Sequence, residues 1–146
     1  MKVVKAAAVQ SSPVLYSREA TVAKVVQKIH ELGQRGVQFA TFPETVVPYY
    51  PYFSFVRPPF AAGAEHLLLY ERAVKVPGPI TDAVSAAARS HGVVVVLGVN
   101  ERDHGSLYNT QLVFDANGEL VKDSLKQFAT SYINAFAAWV DQVLKK

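Results

Sequence analysis

The pattern of apolar and polar positions changes period several times along this chain. Lys2 to Gln10 is a short, mostly apolar run, Val37 to Phe42 is rich in β-branched and aromatic residues, and Val93 to Val99 is almost wholly apolar. Each has the length of a β-strand, and the last predicts a strand buried on both faces, as central parallel strands are. Between the first two, Ala20, Val22, Ala23, Val25, Val26, Ile29, His30 and Leu32 recur at three- and four-residue spacing. That period predicts a helix, with Ser17 as its N-cap and Gly33 or Gly36 at its end. Strand, helix, strand is a βαβ unit with a right-handed crossover, and the fold class that follows is α/β.

The same reasoning continues downstream. Ala61 to Val74 is helical in pattern until Pro77-Gly78-Pro79 breaks it, and a second helix follows from about Ile80 to Ser90, capped by Thr81 or starting after Pro79, with Gly92 closing it. Leu107 to Phe114 alternates as a strand with one more polar face, and Asp115-Ala116-Asn117-Gly118 predicts a turn with Gly118 at positive φ before Glu119 to Val121 returns. The order is βαβαββ. Leu125, Phe128, Ala129, Tyr132, Phe136, Trp139, Val140 and Val143 then fall at helical spacing, so residues 122–146 predict an amphipathic helix capped by Asp123 or Ser124.

One strand end carries candidate chemistry. Phe42-Pro43-Glu44-Thr45 sets a carboxylate directly after the second strand, where ligand chemistry sits in α/β sheets. Pro43 ends the ladder and Pro48 keeps Val47 out of the helical region, so Glu44 rides on a short stiff turn. Such a glutamate is either a general base or a solvated turn residue, and local pattern alone does not decide between them. From Thr45 to Phe60 the chain turns proline- and aromatic-rich, neither strand nor helix. It reads either as a pocket wall beside Glu44, with Tyr50 and Phe53 contacting ligand, or as an aromatic mini-core or subunit contact.

Composition narrows the classes. At 146 residues, half of them hydrophobic and 18% charged, the chain is one domain's worth and able to bury an ordinary core. The net charge of +3 comes from scattered Lys and Arg, which argues against nucleic-acid or membrane partners. Lys5 interrupts the only stretch that resembles a signal peptide, and the expectation is a cytoplasmic protein. His30 reads as a packed or half-exposed histidine, and no two of His30, His66, His91 and His104 have metal-ligand spacing, so no metal site is expected. The chain has no cysteine, which removes disulfides and thiolate chemistry.

Six segments in order carry a resemblance: Ala-Ala-Val-Gln at 7–10, Phe-Pro-Glu-Thr at 42–45, Tyr-Tyr-Pro-Tyr-Phe at 49–53, Val-Pro-Gly at 76–78, Leu-Gly-Val-Asn-Glu-Arg at 97–102 and Leu-Tyr-Asn-Thr-Gln-Leu-Val-Phe-Asp at 107–115. Together they resemble the nitrilases of the carbon-nitrogen hydrolase superfamily, over residues 2–121. The resemblance implies part of an αββα sandwich, self-association, no cofactor, and a Glu-Lys-Cys triad hydrolysing a nitrile or amide substrate. Glu44 matches the general base. Lys126 stands where the triad lysine would be counted from Phe-Asp-x-x-Gly, yet it also reads as a lysine on the polar face of the predicted C-terminal helix. The nucleophile has no counterpart. Residues 1–121 thus read as the N-terminal portion of a nitrilase-like domain and 122–146 as a segment outside the family. Two functions follow: a hydrolase portion inactive by itself, or a non-catalytic truncated or engineered scaffold that self-associates. A flavodoxin-like or nucleotide-binding reading fails because Gln10-Ser11-Ser12-Pro13 stands where a Gly-rich phosphate turn belongs.

Overall fold

A computed structural model describes residues 3–121 and the strand at 125–128. Strand β1 (Ala6–Ala8) leads to helix α1 (Arg18–Gln34), β2 (Phe39–Thr41), a short helix α2 (Phe53–Val56), α3 (Gly63–Arg72), α4 (Pro79–His91), β3 (Val94–Asp103), β4 (Ser106–Phe114) and β5 (Leu125–Phe128). The five strands form one sheet in the order β1-β2-β3-β4-β5. β1, β2 and β3 run parallel, while β4 and β5 are antiparallel to their neighbours. The α/β architecture expected from the periodicity is the one observed.

Local chemistry explains the element ends. The Ser17 side chain accepts from the Ala20 N–H at 3.3 Å, which satisfies one of the orphan donors of α1. Gly36 turns the chain out of that helix at φ 72°, and Gly92 does so after α4 at φ 63°, both in the left-handed region that glycine adopts without penalty. Thr81 is not the cap of α4. Pro79 opens that helix, and the Thr81 hydroxyl reaches back to accept from the Gly78 N–H at 2.8 Å. At the Asp115–Gly118 turn, Gly118 takes φ 76° and the Asp115 N–H donates to the Glu119 carbonyl, as the sequence predicts. The return is a single bridge, Phe114 to Leu120.

The core lies on one face of the sheet. Val95, Leu97 and Val99 of β3 pair with Phe114, Leu112 and Thr110 of β4, and all six are buried. Val22, Val25, Ile29 and Leu32 of α1 and Val84, Ala87 and Ala88 of α4 join the same cluster. Each large side chain buried there contributes about 1.5–3 kcal/mol. The alternate residues Val94, Val96, Gln111 and Val113 on the other face are only partly buried, which corrects the expectation that residues 93–99 are buried on both sides. An all-apolar strand does not report which face is covered.

Two further expectations change. The proline- and aromatic-rich stretch is not free of helix, because Phe53–Val56 and Pro59–Ala61 each make one turn. Leu125–Phe128 is a strand, paired with β4 through Lys126 opposite Thr110 and Gln127 opposite Asn109, where helical spacing predicts a helix. Pairing with the open edge of β4 overrides a local period over so few residues. The remainder of that predicted helix lies outside the described residues.

Candidate active site

Glu44 stands on a turn that the sheet holds at several points. Phe42 donates the last ladder bond of β2 to the Val96 carbonyl at 2.8 Å, and Pro43, with no N–H, ends the pairing. Thr45 takes φ 44° and turns the chain back toward β3, where Val47 donates to the Gly98 carbonyl at 3.3 Å and accepts from the Asn100 N–H at 2.8 Å. The buried Asn100 amide donates to the Tyr49 carbonyl at 2.9 Å. The stiffness expected from two prolines therefore comes also from three anchors that prolines do not supply.

Gly98 sets how closely the turn sits. A Cβ at that position would lie 2.4 Å from the Pro43 carbonyl oxygen, 2.6 Å from the Thr45 nitrogen and 2.7 Å from the Glu44 Cα. Backbone cannot yield to such contacts cheaply, so only glycine lets the turn lie flat on β3. Across that gap, the Asn109 side-chain amide of β4 donates to Glu44 Oε1. Glu44 itself is exposed.

Beside it opens a cleft of about 610 Å³, whose lining includes Ser11, Ser12, Leu15, Glu44, Tyr50 and Tyr52. This brings Glu44 and Tyr50 together, as the pocket-wall reading requires. Tyr50 packs on Tyr52 with ring centres 4.8 Å apart and stacks on Phe55 at 6.2 Å. Phe53 is not among the lining residues. It packs edge-on against His66, ring centres 4.9 Å apart, and joins a small second core with Tyr49, Leu69, Ala73 and Leu107. Tyr50 thus lines the cleft and Phe53 packs into the second core, while Tyr49 belongs to both. Burial pushes the Tyr49 hydroxyl up to about 12, so it stays a neutral phenol at ordinary pH.

Lys126 enters only as backbone, in β5 opposite Thr110 and one pair from Asn109. Two serines line the cleft, but no imidazole lies among the lining residues to take a hydroxyl proton. Among the described residues no group of three or more His, Cys, Asp or Glu converges as a metal site. His30 and His91, which sequence spacing does not connect, meet between α1 and α4 with Nδ1 and Nε2 3.0 Å apart. Sequence reading also passes over Asn100, Gly98 and Asn109 individually. A polar Asn and a Gly at the end of a continuous apolar run were the available signal.

The family model for carbon-nitrogen hydrolase matches residues 5–128, whereas the sequence reading ends the family portion at residue 121. The chain is 67% identical over 134 residues to "Nitrilase 3" from an unknown prokaryotic organism, covering 90% of this chain and 41% of that protein. It is 63% identical over 117 residues to a nitrilase of Paraburkholderia phymatum, covering 80% of this chain and 34% of that one. Among solved structures, Saccharomyces cerevisiae Nit3 superposes with a TM-score of 0.63 at 19% identity, over 84% of this chain and 43% of that chain. An amidase double mutant from Nesterenkonia sp. AN1 in complex with acrylamide superposes with a TM-score of 0.62 at 14% identity, over 91% of this chain and 47% of that chain. The chain spans less than half the length of these relatives, and its fold is part of their α/β sandwich. With Phe-Pro-Glu-Thr on the turn after β2 and a family match over most of its residues, this chain belongs to the carbon-nitrogen hydrolase family.

Proposed function

We propose that this chain is the base-bearing portion of a nitrilase-type hydrolase, with a cleft that seats a small nitrile or amide against Tyr50 beside the Glu44 carboxylate. The single observation that supports this most is the placement of Glu44 at the rim of an aromatic-walled cleft, held by Gly98 and Asn109. In the reaction implied by the family, a thiolate attacks the nitrile carbon to form a thioimidate. Water then releases the acid and ammonia, and the glutamate moves protons. Lys126 would stabilise developing charge. This chain has no cysteine, so the attacking atom is not its own and the chain does not turn over nitriles by itself. No cofactor is needed for that chemistry.

A second reading, a non-catalytic scaffold that self-associates, is favoured by the same missing nucleophile and by the partly covered sheet face at Val94, Val96 and Val113. Among the described residues no helix is long and apolar enough to cross a membrane, and a cytoplasmic setting belongs to this proposal. The test is ammonia release from aromatic and aliphatic nitriles and amides by the purified chain, beside Glu44→Ala. The proposal expects no release above the variant. Release that depends on Glu44 would show that another nucleophile serves it.

A further inference from the structure

Glu44 and Asn109 belong to elements that are not neighbours. Glu44 follows β2, Asn109 lies in the middle of β4, and β3 runs between them. Their contact exists because β3 presents a glycine at the crossing, where any Cβ would strike the turn within 2.7 Å of the Glu44 Cα. The register puts Asn100 opposite Asn109 and Gly98 opposite Gln111, so the Asn109 amide stands two pairs along, on the same face as the gap that Glu44 crosses. A carboxylate only accepts when ionised, so the amide must present its nitrogen, and the contact is Nδ2–H to Oε1.

We infer that Asn109 is the positioning residue of Glu44. It fixes one carboxylate oxygen by a neutral donor, reached across Gly98, and leaves the other oxygen to exchange protons in the cleft. This rests on reading Glu44 as a base and adds a residue to it. An exposed glutamate otherwise samples many rotamers, whereas a base must hold one direction. A lysine or arginine in the same place would also orient the carboxylate, but its charge would oppose proton uptake. An amide orients without that opposition. Oε1 accepts from Asn109, and among the described residues Oε2 has no hydrogen-bond partner, so one oxygen is oriented and the other faces solvent.

The test needs no turnover. The Asn109 side-chain amide of the labelled full-length chain is followed by NMR between about pH 7 and about pH 3, where carboxylates protonate. The expected result is that both Nδ2 protons shift through one carboxylate titration, and that the shift disappears in Glu44→Gln, whose side chain is exposed. In Asn109→Leu, the Glu44 χ-angle couplings should collapse toward rotamer averaging, while Asn109→Gln restores part of the order. An Asn109 amide indifferent to pH, or one that titrates unchanged in Glu44→Gln, overturns the assignment. So does a Glu44 side chain equally ordered in Asn109→Leu. None of these results bears on ammonia release, so failure of this inference is distinct from failure of the base assignment.

Discussion

The two faces of the β3–β4 pair are made from alternating residues of the same strands, yet they do different work. Val95, Leu97, Leu112 and Phe114 point to α1 and α4 and are buried to within about one per cent of completely. Gly98, Asn100 and Asn109 point the other way, to the Glu44 turn, and carry almost no apolar bulk. Stability is concentrated on the first face and geometry on the second. A strand's period of two is what keeps them separate, because a substitution at one residue leaves its neighbour's face untouched.

The separation can be broken from either side. The largest effect is expected from Phe114→Ala, which empties a fully buried site and should cost about 3–5 kcal/mol in denaturant unfolding while the Glu44–Asn109 contact persists in the folded fraction. Gly98→Ala should cost less, about 1–3 kcal/mol, because the turn can lift. It should nonetheless displace Glu44, seen as large amide shifts at Pro43's neighbours and at Asn109 and small ones in α1. Asn100→Ala removes the donor to the Tyr49 carbonyl and leaves that acceptor buried, for about 1–3 kcal/mol, with amide shifts confined to Val47–Tyr50.

The smallest effect lies at the turn after β4, outside both faces. Backbone N–H groups of Glu119 and Asn117 donate to Asp115 and hold its carboxyl below the ordinary aspartate value. A lowered folded-state value contributes stability above the unfolded value of about 3.9, and that stability is lost as pH falls through the folded value. Asp115→Ala should therefore lower the thermal midpoint slightly near neutrality, and the gap to the parent chain should close as pH falls below about 4. A thermal-midpoint series against pH for both proteins checks it.

The helix-facing side was largely legible in the sequence. The three-and-four spacing from Ala20 to Leu32 and the Ser17 cap each report a local rule that tertiary packing did not overturn, whereas the apolar run before Val99 reports a strand but not which face is covered. The Glu44 side was legible only in part. The residue itself stood out by its place after a strand between two prolines, and Tyr50 by its aromatic loop. Its supports did not, because Gly98, Asn100 and Asn109 act across strands, and register between strands is not written in any local window. The same limit explains Phe53, assigned to the pocket by composition and found against His66. It also explains Leu125–Phe128, whose helical period was local and whose strand pairing was not.

The proposed function requires a small nitrile or amide to sit in the Glu44 cleft. The most direct test is a titration of the labelled chain with benzonitrile and benzamide, followed by amide shifts. Saturable shifts are expected at Ser12, Glu44 and Tyr50, weakened in Tyr50→Ala, with α4 unchanged. Saturable shifts centred on another surface, or none at concentrations that saturate a full-length nitrilase, would contradict it.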